Sequence, residues 1–73
     1  MRVKVREAAE ILGVSNEYIR IGLQKGILPI GTAVKMSSVW TYHISPKLLE
    51  DYSGVDVTET INKMRGDTNG TET

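Results

Sequence analysis

The pattern of hydrophobic and polar positions predicts two short helices separated by a tight turn near the start of the chain. Residues 6–12 are rich in strong helix formers. The sequence Gly-Val-Ser at residues 13–15 supplies a residue that can turn the chain sharply and then a good N-cap. A second helix is predicted over residues 16–25, where Ile19 and Leu23 form a narrow apolar stripe. Since helices this short are not stable alone, we expect the two to pack together.

The period of the pattern changes to that of strands between residues 32 and 44. Residues 32–36 and 39–44 are rich in β-branched and aromatic side chains, which predicts a β-hairpin. Two serines separate these runs, but tight two-residue turns prefer glycine or asparagine, so we expect a longer turn. One face of the second strand, predicted to lie in the core, carries Trp40, Tyr42 and Ile44.

Three further segments follow the hairpin. Residues 45–54 contain a serine N-cap, a proline at the first helical position and a closing glycine, which together predict a third helix. Residues 55–65 are predicted to form a short amphipathic helix, whose apolar positions are Val57, Ile61 and Met64. Residues 66–73 contain no large apolar side chain, and we expect them to form a disordered tail.

Length and composition restrict the class of protein. A chain of 73 residues forms one small domain with a thin margin of stability. The absence of cysteine excludes disulfides and thiolate zinc sites. No apolar run is long enough to span a membrane, and the basic residues near the N-terminus are not followed by the apolar stretch of a secretory signal. We therefore expect a soluble cytoplasmic protein.

The charges are unevenly distributed although the net charge is zero. Residues 1–47 carry seven lysines and arginines against three glutamates, whereas residues 48–73 carry two basic and six acidic side chains. This asymmetry indicates a basic working surface followed by an acidic segment.

No group of residues has the pattern of a catalytic centre. The single histidine, His43, lies within a predicted strand without neighbouring carboxylates, which is typical of a surface residue rather than a general base or metal ligand. We therefore predict no enzymatic activity, no metal site and no cofactor.

The first two helices and the hairpin together resemble a known family of DNA-binding proteins. Residues 5–15, 18–20 and 26–29 are similar to the winged helix-turn-helix of phage and transposon excisionases and their MerR-like relatives. Residues 31–36 and 40–49 are similar to the wing and closing helix of small proteins encoded by prophages and integrative elements. The resemblance covers residues 3–53. It implies an α+β fold over residues 1–54, with three short helices and a β-hairpin wing.

The resemblance also implies that the second helix is the recognition helix and lies in the major groove of double-stranded DNA. Its candidate DNA-binding residues are Ser15, Asn16, Glu17, Arg20, Ile21, Gln24 and Lys25. The candidate DNA-binding residues of the wing are Lys35, Ser37, Ser38, Thr41 and His43. Asparagine and glutamine can bind adenine and arginine can bind guanine. Arg20 is equally suited to a phosphate, and Glu17 either accepts from a cytosine or caps the helix.

Two functions of different classes remain open at this point. The first is sequence-specific binding of double-stranded DNA by a protein of a phage or mobile element, acting as an excision directionality factor, a transcriptional regulator, or both. Its partners would be an integrase or another copy of the chain on adjacent sites, in the nucleoid of a bacterial host. The alternative is a protein-interaction module with a winged-helix fold that contacts an integrase, a repressor or a host factor. The acidic segment and the apolar stripe of residues 55–65 favour some protein contact.

Overall fold

Four short helices and one two-stranded antiparallel sheet make up the protein in a computed structural model, which describes residues 2–70 and the side chains of residues 2–66. In chain order the elements are α1 (Val5–Leu12), α2 (Asn16–Gln24), β1 (Gly31–Met36), β2 (Val39–Ile44), α3 (Pro46–Ser53) and α4 (Val57–Gly70). The predicted small α+β domain is therefore confirmed. Within residues 2–70, no helix combines the length and the apolar character that crossing a membrane would require.

Local capping determines where α1 ends and where α2 begins, as the sequence predicts. Gly13 follows α1 with a φ of 71°, a left-handed conformation that glycine adopts without steric cost. The Oγ of Ser15 accepts a hydrogen bond from the Tyr18 backbone N–H at 3.0 Å and so caps α2. The chain between the helices is therefore short and well defined, and α1 packs directly against α2.

The β-hairpin has a two-residue turn, so the expectation of a longer turn is wrong. Met36 pairs with Val39, which leaves Ser37 and Ser38 as the two turn residues. Ser37 has a φ of 60° and Ser38 does not have a positive φ, which is the pattern of a type II′ turn. This turn matches the twist of the two strands, and that match outweighs the cost of a left-handed serine.

The core lies where the helices meet the base of the hairpin. The largest fully buried side chains are Ile19, Ile30, Leu49, Val57 and Ile61. Ile44 is also buried and Tyr42 packs against this core, as predicted for that face of β2. Trp40 is only half-buried and lies outside the core, so its predicted core position is wrong. It is near the tip of the hairpin, beyond the reach of the helices.

Helix α4 is part of the same core and is longer than predicted. Its bounds are Val57–Gly70, whereas the sequence predicted a helix over residues 55–65 and a disordered tail over 66–73. Once the first turns are packed, each added residue gains a hydrogen bond at little cost, so the helix continues past its apolar part. Residues 71–73 lie outside the described residues. Since Val57 and Ile61 are completely buried, the apolar stripe is not available for the protein contact that the sequence suggested.

A salt bridge ties α4 to α1. The Arg65 Nε donates to Glu7 Oε2 at 2.8 Å, and the Arg65 Nη2 donates to Glu7 Oε1 at 2.8 Å. The Glu7 side chain is 5% exposed, whereas that of Arg65 is 42% exposed. The hydrogen bond from Arg65 lowers the pKa of Glu7 below its usual value of 4.5, more than burial raises it. Helices α1 and α4 are therefore held together by a bidentate ion pair between residues 58 positions apart, which no local pattern in the sequence indicates.

Candidate nucleic-acid interface

Helix α2 presents a polar and basic face to solvent on the side opposite its buried stripe. Ile19, Gly22 and Leu23 face the core. The exposed residues of the predicted set are Ser15, Asn16, Glu17, Arg20, Ile21 and Lys25. The structure therefore leaves six of the seven predicted α2 residues accessible, although the hydroxyl of Ser15 is already engaged as the N-cap.

Gln24, the seventh, is half-buried and makes a specific contact with the hairpin. Its Nε2 donates a hydrogen bond to the hydroxyl of Tyr42 at 2.6 Å. One amide donor of Gln24 is thus occupied by β2, which makes Gln24 a link between two elements rather than a freely exposed side chain. The hydrogen bond places the aromatic face of the hairpin beside the exposed face of α2.

The register of the hairpin separates its predicted residues into two faces. Lys35 lies opposite Trp40, and Ala33 lies opposite Tyr42. Residues that face each other across an antiparallel pair project to the same side of the sheet, and alternate residues project to opposite sides. Lys35 therefore shares a face of the hairpin with Trp40 and Tyr42, the face from which Tyr42 contacts Gln24 of α2. Thr41 and His43 project from the other face, while Ser37 and Ser38 form the tip.

Trp40 belongs to this surface, although the alternation along β2 predicted a core position for it. Tyr42 packs against the core as predicted, and its hydroxyl contacts Gln24 of α2. The Lys35 Nζ lies 6.0 Å from the centroid of the Trp40 ring, a distance at which a cation and an indole attract each other. The period-two spacing of Trp40 and Tyr42 predicts correctly that they share a face of β2. Spacing alone does not show where along the strand the core ends. We name the exposed face of α2 together with Lys35, Trp40 and Tyr42 the α2–hairpin surface.

Among residues 2–66, no salt bridge neutralises the basic side chains of the α2–hairpin surface. The salt bridges among residues 2–66 use Lys47, Lys63 and Arg65, all outside this surface. The basic residues of the surface are Arg20, Lys25 and Lys35, and its acidic residue is Glu17. Charges left unpaired in this way are available for an anionic partner.

A second feature borders the same helix. Exposed apolar side chains surround a groove of about 220 Å³ between α2, the turn that follows it, and α3. The exposed members of this apolar groove are Tyr18, Ile21, Ile27 and Tyr52. Ile27 is 73% exposed, which is unusual for an isoleucine in a small domain.

Comparisons of the chain with models of protein families, with curated proteins and with solved structures found no match. What the protein does is therefore inferred from the residues and geometry of the α2–hairpin surface, together with the resemblance in the sequence.

Proposed function

We propose that the protein binds double-stranded DNA, with α1 and α2 acting as a helix-turn-helix and the hairpin acting as a wing. The observation that carries this proposal is the α2–hairpin surface itself. The Gln24–Tyr42 hydrogen bond joins α2 to the hairpin. The salt bridges among residues 2–66 do not involve Arg20, Lys25 or Lys35. A continuous surface of this kind can contact a helical groove and its flanking phosphates at the same time.

The dimensions of α2 suit the major groove. With its side chains, an α-helix such as α2 is about 10–12 Å in diameter. The major groove of B-DNA is about 12 Å wide and admits one α-helix. Asn16 and Arg20 are exposed and, in this proposal, contact base edges, Asn16 at adenine and Arg20 at guanine or a phosphate. Lys25 at the C-terminal end of α2 and Lys35 on the hairpin would contact the phosphate backbone.

The resemblance to excisionases and their MerR-like relatives supports a role in a phage or integrative mobile element. In that role the protein would occupy sites near a recombination region or a promoter, as an excision directionality factor, a transcriptional regulator, or both. It would work in the bacterial cytoplasm on the nucleoid. An integrase or a second copy on a neighbouring site would be its protein partner.

The direct test is a titration of the protein with duplex DNA at several salt concentrations. Trp40 is the single tryptophan of the chain and lies on the proposed interface, so its fluorescence reports binding without a label. Lys35→Ala is expected to weaken binding to any duplex and to reduce the salt slope by about one unit, the effect of one lost phosphate contact. Lys63→Ala is the matched control because Lys63 is also an exposed lysine, but it lies on α4 and pairs with Glu59.

Sequence specificity needs a second measurement. A binding site selected from random duplexes is compared with an unselected duplex for the parent and for Arg20→Ala. If Arg20 reads a base, the variant loses about 1–3 kcal/mol at the selected site and much less elsewhere. An equal loss at both would assign Arg20 to a phosphate. Unaltered affinity of both folded variants, Arg20→Ala and Lys35→Ala, would contradict the proposed interface.

The apolar groove supports a second candidate function, a module that contacts another protein such as an integrase, a repressor or a host factor. Exposed apolar clusters rimmed by polar residues are typical of protein contact sites. A gel shift with random duplex at low salt separates the two candidates. A protein-interaction module does not shift the duplex, whereas a DNA-binding protein does so through its phosphate contacts.

A further inference from the structure

Arg65 of α4 fixes the position of the N-terminal segment. Its Nη2 donates to the carbonyl oxygen of Arg2 at 2.6 Å, and the same guanidinium binds the Glu7 carboxylate. Glu7 in turn accepts a hydrogen bond from the Lys4 backbone N–H at 2.9 Å. The backbone on both sides of Val3 is thereby held by one charged cluster.

Val3 connects the N-terminal segment to the base of the hairpin. It forms an antiparallel bridge with Ile44, the last residue of β2, and both side chains are buried. Ile44 pairs with Gly31, where the backbones are so close that a Cβ would lie 2.8 Å from the Ile44 Cα. The Ser45 backbone N–H also donates to the Ile30 carbonyl oxygen at 2.9 Å. The bridge therefore joins Val3 to the end of β2, and the close pairing of the two strands there joins it to the start of β1.

The hairpin is also held to the helices by the hydrogen bond between Gln24 and Tyr42 and by the packing of Ile44 and Ala33 against the core. These contacts and the bridge at Val3 all lie in the half of the hairpin away from its tip, so the angle set there determines where the tip residues lie. Lys35 is four residues beyond Gly31, about 13 Å along the strand. A rotation of about 10° at the base would move Lys35 by about 2 Å, which is enough to break a contact of hydrogen-bond length.

We infer that Arg65 is a positioning residue for DNA binding, which sets the angle of the hairpin through Val3 without touching DNA. The inference rests on the proposed function, because it concerns how Lys35 and Trp40 are placed on the DNA. It assigns to α4 a role beyond filling the core.

A double-mutant cycle between Arg65 and Lys35 tests this inference. Dissociation constants for one duplex are measured at several salt concentrations for the parent, Arg65→Gln, Lys35→Ala and the double variant, at a temperature where circular dichroism shows each to be folded. Arg65→Gln is expected to weaken binding about two- to thirtyfold, the range for residues that act through others. It should also lower the salt slope as Lys35→Ala does. In the Arg65→Gln background, Lys35→Ala should then have little further effect.

Lys63→Gln is the matched control, because it removes one positive charge from the same helix and the Lys63 ammonium pairs with Glu59 rather than with Glu7. It should leave the affinity close to that of the parent. Arg65→Lys is the second variant and is used in the cycle if Arg65→Gln does not fold. It keeps the charge but lacks the planar fork that binds Glu7 and Arg2 together, so it should behave like Arg65→Gln.

The outcomes separate the inference from the proposed function. Distant residues with independent roles have additive effects, so additive losses for Arg65→Gln and Lys35→Ala would overturn the inference and leave the proposed function intact. Equal weakening by Lys63→Gln and Arg65→Gln would also overturn it, because charge alone would then explain the loss. A parent protein that binds no duplex would overturn the proposed function. Amide hydrogen exchange at Ile44, which is bridged to Val3, then still tests the mechanical step. Faster exchange in Arg65→Gln is expected, and unchanged exchange would overturn the inference.

Discussion

Replacing Ile61 with alanine tests whether α4 belongs to the core of this domain. Ile61 is 0% exposed and packs with Val57 of the same helix and with Leu49 of α3 in one buried cluster. The sequence alone would rank Trp40 as the most important apolar side chain, since it is the largest. The structure reverses this ranking, because Trp40 is half-buried and outside that cluster.

The expected magnitudes differ accordingly. Ile61→Ala removes three buried carbon groups worth about 0.8 kcal/mol each and leaves a cavity, for a total of about 2–5 kcal/mol. At 0.05–0.15 kcal/mol per residue, the 73-residue chain has about 4–11 kcal/mol of stability, so this loss is a large fraction of the total. Trp40→Ala loses an exposed contact with Lys35 and some strand packing, each worth about 1 kcal/mol or less.

Thermal and urea denaturation followed by far-ultraviolet circular dichroism measures both changes. A loss of 3 kcal/mol corresponds to a melting temperature lower by about 12–24 °C in a domain of this size. Leu49→Ala is the matched control, since Leu49 is equally buried but belongs to α3, inside the predicted domain of residues 1–54. If Ile61→Ala costs little while Leu49→Ala is severely destabilising, α4 does not contribute to the core. A larger loss for Trp40→Ala than for Ile61→Ala would refute the placement of both side chains.

Three further changes test the fold and its ties. Because Arg65 lowers the pKa of Glu7 below 4.5 in the folded protein, the ionised Glu7 carboxylate stabilises the fold. This stabilisation is complete above the pKa that Glu7 has in the unfolded chain. It is lost as the pH falls through the lower pKa that Glu7 has in the folded protein. The difference in melting temperature between the parent and Glu7→Gln should therefore be constant near neutral pH and shrink below about pH 4.5; a difference that grows in acid would contradict the ion pair. Tyr42→Phe keeps the ring but removes the acceptor for Gln24, so denaturation should show a loss of about 0.5–1.5 kcal/mol, and no loss would mean that the hydrogen bond is not formed. Ser37→Gly relieves a left-handed serine and should raise the melting temperature by a few degrees, a gain of up to about 1 kcal/mol, whereas a lower melting temperature would argue against the type II′ turn.

The ends of the helices could be predicted from the sequence because capping is a local interaction. The left-handed Gly13 and the hydrogen bond between Ser15 and Tyr18 each involve residues within a few positions of one another. The alternation along β2 is equally local, and it assigns Tyr42 and Ile44 to the inner face. The exposed residues of α2 follow from the same logic, since Ile19 and Leu23 define which side of the helix is buried.

The tertiary structure decided everything that depends on how far one element reaches along another. Trp40 continues the inner face of β2 past the point where the helices end, so it joins Lys35 at the surface instead of the core. Gln24 faces away from the stripe of α2 and yet contacts Tyr42, 18 positions away, because the hairpin folds back beside the helix. The pair of Arg65 and Glu7 joins residues 58 positions apart. Sequence periodicity specifies the direction of a side chain, but the partner it meets is specified by packing between distant elements, which no local pattern contains.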